Sequence, residues 1–195
     1  MKKLIVLTLV LCLMMAFTSC KNDSGGTSYT LGNLTKNIFE ITKSGTYRME
    51  ISITGEGINS DYAVYAKDGM FAVDMGMRMI YKDGKSYIVM DSFEAVMVGN
   101  EEPDEDMTRF LPEESTLTYV GEGSGEFMGK TYKYDEYLTD KGTKMYFYVD
   151  GGIFKGIHTI DADGSVTDME ILAFDQNVPD SVFEIPANYE MFEEE

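Results

Sequence analysis

From Gly45 onward, apolar and polar residues alternate with a period of two. Tyr47, Met49, Ile51 and Ile53 fall on one side, and Arg48, Glu50, Ser52 and Thr54 on the other. Side chains of a strand point alternately to its two faces, so this is the pattern of a half-buried strand. Similar runs follow at 61–67, 70–75, 77–82, 86–91 and 94–98, and again at 116–121, 130–138, 143–149, 153–160 and 165–174. Asp68-Gly69, Asp83-Gly84, Asp150-Gly151 and Asp163-Gly164 punctuate them, with Asp140-Lys141-Gly142 a close variant. Asp-Gly between alternating runs marks tight hairpins, because their turns need positive φ. The spacing therefore predicts an antiparallel meander. Ahead of it, Leu31, Leu34, Ile38 and Ile41 recur at helical spacing. They predict a helix over 30–42, with Thr30 placed to cap it and Lys43 and Gly45 placed to end it. Gly32 fits a helix interior poorly.

The alternation breaks over 100–115, an acidic stretch holding Pro103 and Pro112, with room for a short helix at 106–111. A solvated loop joining two halves of a sheet is one reading of it, and a flap over a cavity mouth is the other. Residues 193–195 read as a solvated acidic tail.

The N-terminus has a different character. Lys2 and Lys3 precede an almost purely apolar run, 4–17, which is followed by Thr18-Ser19-Cys20. The run has the length of a signal peptide core rather than of a spanning helix. Small residues ending on a cysteine resemble the lipobox of bacterial lipoproteins. That resemblance implies cleavage before Cys20 and a thioether-linked diacylglycerol on its sulfur, whose fatty-acid chains are of the palmitate type. Three segments follow from this: a lipoprotein signal peptide at 1–19, a flexible Gly/Ser-rich tether at 20–28, and a single domain at 29–195. The expected location is the extracytoplasmic face of a membrane, held there by lipid.

The formal net charge of −18 excludes the usual electrostatics of nucleic-acid binding, which neutralises phosphates with Lys and Arg. It also opposes a body lying flat on anionic lipid. Only Cys12 and Cys20 are present, and both lie in the leader or at its end. An exported domain without a disulfide must hold itself together by burial.

Residue inventory removes most catalytic chemistry. His158 is the one histidine, so a Cys-His pair or a site built from several imidazoles has no material. No serine sits in a nucleophile elbow, and no glycine motif opens a helix to cradle phosphate. The carboxylates include no distinguishable acid–base pair, and no Trp forms a sugar platform. The segment 161–165, Asp-Ala-Asp-Gly-Ser, reaches its glycine too soon for a calcium loop and reads as a hairpin turn. Met75, Met77 and Met79 would align three thioethers if they shared one strand face, an arrangement open to Cu(I). Fifteen methionines along the chain point instead to core or to an adaptable apolar surface. The clustered tyrosines 132, 134, 137, 146 and 148 need no more than strand propensity. The reading is of a protein that is not an enzyme and uses neither cofactor nor metal.

Three stretches carry a wider resemblance: Gly129-Lys130-Thr131-Tyr132-Lys133-Tyr134, then 146–151 (Tyr-Phe-Tyr-Val-Asp-Gly), and the ending 178–189 with its Phe183, Pro186 and Tyr189. With the lipobox, one N-terminal helix and a long meander, the chain resembles the half-barrel lipoprotein carriers of the LolA/LolB and LppX/LprG superfamily. The resemblance implies an α+β fold, a strongly curved antiparallel sheet of about ten strands wrapped around the N-terminal helix. It also implies an apolar concave face that binds lipid or acyl chains, or a lipoprotein cargo. Met49, Ile51, Ile53, Met77, Met79 and Tyr81 are the candidate lining residues, and plain sheet core is their other reading. The competing function is a filled-core envelope module that meets a partner protein through its acidic surface. A closed up-and-down barrel is the structural alternative.

Overall fold

The structure, a computed structural model, describes residues 30–55, 58–100 and 111–193. The signal peptide, Cys20, the tether and the expected helix at 106–111, apart from Leu111, lie outside the described residues. Among the described residues there are one α-helix and twelve strands. They are α1 (Lys36–Lys43), β1 (Tyr47–Gly55), β2 (Ile58–Lys67), β3 (Met70–Asp74), β4 (Arg78–Lys82), β5 (Lys85–Met90), β6 (Ala95–Gly99), β7 (Leu117–Phe127), β8 (Lys130–Thr139), β9 (Lys144–Asp150), β10 (Ile153–Ile160), β11 (Val166–Asp175) and β12 (Glu190–Glu193).

All twelve strands join one open sheet in the order β12-β6-β5-β4-β3-β2-β1-β11-β10-β9-β8-β7. Two meanders meet at β1, which pairs antiparallel with β2 on one side and β11 on the other. The first meander runs outward from β1 to β6. The chain then restarts at the opposite edge with β7 and returns inward to β11. The sheet has two edges, so it is a half-barrel and not the closed barrel.

Two of the expected Asp-Gly turns formed as their sequences demand, while at Asp150-Gly151 the central pair is instead Gly151-Gly152, with φ of 56° and 85°, and Asp150 ends the preceding strand. Asp68-Gly69 and Asp83-Gly84 both take positive φ at both central positions, the twist that suits a two-residue hairpin. Met128-Gly129 makes the same turn with φ of 49° and 75°, without the Asp that would have announced it. The 161–165 segment is a hairpin turn, with Asp161 and Ser165 closing it through a backbone bond of 2.9 Å.

Three β-bulges bend the second meander. Val120 is the extra residue of β7, Lys155 of β10 and Leu172 of β11. A bulge adds local twist and turns a flat ladder into a curved one. Val120 and Leu172 are 55% and 56% exposed, because the inserted residue leaves the core face.

Two apolar layers result. The concave layer joins Ile38 and Phe39 of α1 to Met49, Ile51, Val64, Phe71, Tyr81, Tyr137, Phe147, Ile157 and Ile171. Phe39 meets the rings of Tyr137 and Phe147 at 6.3 and 5.7 Å between centroids. The convex layer lies behind β3–β6, where Ala72, Ile80, Val89, Val96 and Val98 are covered by Val178 and Phe183 of a C-terminal strap. Lys82 Nζ donates to the Phe183 carbonyl at 2.8 Å, and Lys67 pairs with Asp180 at 2.5 Å. Beyond the strap, β12 adds itself parallel to β6.

Three expectations change. The sheet has twelve strands rather than about ten, since the acidic ending contributes β12. Strand β7 continues to Phe127 rather than stopping at 121, because its glycines alternate with Glu122, Ser124 and Glu126 and hide the period. Met75 and Met77 do not share a strand face with Met79. Met75 N–H donates to the Met77 carbonyl, and Gly76 has φ of 87°, so 75–77 is the turn between β3 and β4.

Tyr47 is 3% exposed, and burial pushes its phenol from 10.0 up to about 12. An unfolded tyrosine ionises near pH 10, so the native state holds a proton the unfolded state releases. Its contribution to stability is complete below pH 10 and is lost as pH rises to about 12. The urea midpoint is expected to fall across pH 10–12, and Tyr47→Phe is expected to flatten that fall relative to wild type.

Candidate functional site

The concave face is the candidate site, and the position of α1 decides how much of it is open. An eight-residue helix is too short to persist alone in water. Its first turn has no acidic residue, and its N-cap, Thr35, makes no side-chain cap bond within the helix. The cap comes instead from β8. Asp135 Oδ2 accepts from the backbone N–H groups of Leu34 and Thr35 at 3.0 Å each, and from the Thr35 hydroxyl at 2.9 Å. The Gly32 amide donates to the Tyr137 hydroxyl at 2.8 Å, and Tyr137 in turn contacts the Thr35 hydroxyl. One consistent direction runs from Gly32 N–H through Tyr137 and Thr35 to Asp135.

Gly32 therefore belongs to the approach to the helix, not to its interior. A Cβ there would fall 2.1 Å from Asp135 Oδ2, so only glycine lets the carboxylate close on the turn. This is why α1 starts at Lys36 and not near Thr30. Lys43, in the last turn, pairs at 2.6 Å with Glu114 ahead of β7 and ties down the other end.

Of the candidate lining residues, Met49 and Ile51 are fully buried in the layer that contains α1, and Tyr81 is nearly so. Ile53 and Met79 are half-buried against the same cluster. Met77 lies in the β3–β4 turn and is 38% exposed. The middle of the concave face is thus filled.

Its β4–β6–β12 end is not. Registers carry one side of the sheet outward from Met79 to Ile88, from Ile88 to Met97, and from Met97 to Phe192. Met97 and Phe192 are 45% and 48% exposed. With Ser86, Val98, Gly99 and Glu193 they and Ile88 line a depression of about 110 Å³. Ile88, Met97 and Phe192 were absent from the candidates. The two-residue Asp83-Gly84 turn, which sets Met79 opposite Ile88, was the signal that could have led to them. For Phe192 no such signal existed, since β12 is short and acidic.

The opposite side of β8–β11 is aromatic and polar. Tyr134 meets Tyr146 and Tyr148 edge-on, and Phe127 stacks on Tyr148 at 4.7 Å. His158 Nδ1 lies 2.7 Å from Asp168 Oδ1. Burial pushes the Tyr146 and Tyr148 phenols up, with Glu136 adding to the effect at Tyr146. Among the described residues, no three His, Cys, Asp or Glu side chains group to hold a metal ion, and no helix is long and apolar enough to cross a membrane.

No family model matches this chain, and no curated protein matches it in sequence. A solved structure of low sequence identity shares its fold. An uncharacterized conserved protein from Thermus thermophilus aligns over 82% of this chain and 99% of its own, at TM-score 0.51 and 10% identity. Looser likenesses include MucB, at TM-score 0.46 and 12% identity, over 82% of this chain and 64% of MucB. The structural neighbours also include a LolA superfamily protein from Nitrosomonas europaea, at TM-score 0.35 and 11% identity, over 77% of this chain and 97% of that one.

Removing the strand-borne cap tests how α1 is held. Asp135→Ala leaves three donors, two of them buried, without their acceptor and is expected to cost about 2–3 kcal/mol. The check is urea unfolding at pH 7, read together with hydrogen exchange. Faster exchange confined to 36–43 is the signature of α1 coming loose.

Proposed function

We propose that this protein is a membrane-anchored, extracytoplasmic binding protein that is not an enzyme and takes an acyl chain on its concave face. The observation that carries this reading is the apolar strip Met79, Ile88, Met97 and Phe192, which continues the concave core beyond the cover of α1. Burying each methylene contributes about 0.8 kcal/mol, so a long chain laid along such a strip needs few polar partners. Methionine suits the task, because its unbranched thioether re-packs around varied contacts. The depression near Phe192 is small, so the chain would lie along the sheet rather than enter a deep cavity.

The second reading is a filled-core module that binds an envelope protein through its acidic surface. The complete burial of Met49, Ile51, Tyr137 and Phe147 favours it.

Native mass spectrometry of the Cys20→Ala chain, freed of detergent, separates the two. A fatty-acid or phospholipid adduct that disappears in Met97→Glu, at an unchanged melting temperature, supports acyl binding. A clean mass that also takes up no added palmitate moves the reading to the filled-core module. The anchor has its own check in cell fractionation. Cys20→Ala is expected to move the protein from membranes to the soluble extracytoplasmic fraction, and continued membrane retention would rule the lipid anchor out.

A further inference from the structure

The two edges of the sheet are built differently. The β12 edge is four residues long and carries Glu190 and Glu193. The β7 edge is eleven residues long and, among the described residues, pairs with β8 alone. Sheets block unwanted pairing with short edges, lysine, proline or bulges. Strand β7 contains neither lysine nor proline, and its bulge at Val120 lies before a regular run, Gly121 to Phe127.

The direction of the free groups follows from the Met128-Gly129 turn. A two-residue turn makes Phe127 and Lys130 a hydrogen-bonded pair. Counting back by twos, Gly125 and Gly123 face β8, while Glu122, Ser124 and Glu126 aim their N–H and C=O groups outward.

The side chains on the two faces of this edge are also distinct. On one face Gly121, Gly123 and Gly125 present no side chain, and the Tyr134 ring lies across the last two. A Cβ at Gly123 would fall 2.4 Å from Tyr134 Cζ, and one at Gly125 would fall 3.3 Å from Tyr134 Cε1. An added strand would find a glycine floor beside an aromatic wall there, which suits apolar side chains. On the other face, Glu122, Ser124 and Glu126 are exposed. Unlike charges opposite one another stabilise a strand pair, and like charges oppose it. A second copy of this chain fits badly, because a two-fold axis at Ser124 would set Glu122 opposite Glu126 of the other copy, twice. The net charge of −18 adds to that repulsion.

We propose that the β7 edge, from Gly121 to Phe127, receives an extended basic segment of a partner protein as an added strand. Its Lys or Arg residues, at alternate positions, meet Glu122 and Glu126, and its apolar residues lie over the glycines against Tyr134. The proposal is independent of the acyl reading, which uses the other end of the sheet.

The test is residue-resolved amide hydrogen exchange on the full-length Cys20→Ala chain, with a synthetic peptide of alternating Lys and Val, seven residues long, as probe. Added strand pairing protects the amides of Glu122, Ser124 and Glu126 and leaves those of Gly123 and Gly125 unchanged. Ser124→Pro removes one outward N–H without touching the β8 ladder and is expected to weaken binding roughly tenfold. The paired change Glu122→Gln with Glu126→Gln, which alters only exposed side chains, is expected to weaken it too, while a Glu-Val peptide gives no protection. Protection spread over the acidic surface and indifferent to Ser124→Pro would overturn the proposal. So would equal binding of the Glu-Val peptide, no binding at all, or a β7-dependent dimer.

Discussion

A carboxylate on β8 holds the N-terminus of a helix a hundred residues away in sequence, and the concave side of the molecule is organised around that bond. Three donors converge on Asp135 Oδ2. Helix termini leave backbone N–H groups without partners, and a charged acceptor is the strongest kind of partner for them. Most helices take that acceptor from their own N-cap. Here Thr35 gives its hydroxyl to Asp135 instead, so the helix has its cap only when β8 is in place. Local and long-range structure form together. An eight-residue helix with an external cap cannot fold ahead of the sheet, and a sheet with Asp135, Tyr137 and Phe147 uncovered would expose polar and apolar groups at once.

The same logic explains why the fold needs two covers. A curved sheet of this length has two faces to satisfy, and the first meander is apolar on both. Helix α1 and the sheet enclose one face around Met49 and Ile51. The strap 176–189 encloses the other around Ile80, Val89 and Val96. The second meander needs no convex cover, because its outer face carries Tyr134, Tyr146, His158 and Asp168, whose polar ends tolerate water. Glycines 123 and 125 matter to this arrangement, since the Tyr134 ring occupies the space their side chains would fill. Gly156 serves likewise under Phe127, where a Cβ would meet the ring at 2.4 Å.

Much of this was legible in the sequence. Ten of the strands lie within a few residues of their expected limits, because most are bounded by a turn that takes positive φ, while β7 runs six residues past its expected end at 121. Two of the failures come from contacts between residues distant in sequence. The helix begins at Lys36 because of Asp135, which no local window contains. Strand β12 exists because β6 offers it an edge, and its Glu-Met-Phe-Glu composition would not form a strand alone. Met75 and Met77 read as strand until hairpin closure turned them into a corner. On the concave face the period identified the correct side of β1, with Met49 and Ile51 pointing inward. It could not say that the helix would bury them while Ile88 and Met97 stayed open, since that depends on where an eight-residue helix comes to rest.

That resting place has a consequence for the chemistry the surface can offer. Because Asp135 lies on β8, α1 is drawn toward the second meander and away from β5 and β6. The apolar residues left over are those furthest from the cap, and they are covered only partly by Phe192 of a four-residue strand. A helix capped by its own side chain could have centred itself and closed the face. The displaced cap therefore does two things at once: it fixes a filled core under β1, β8 and β9, and it leaves the Met79–Ile88–Met97 strip as the part of the concave face where an apolar ligand can still gain by burial. Core stability and an open apolar strip are in this molecule two results of one bond network, which is why the strip begins where the core ends, at Met79.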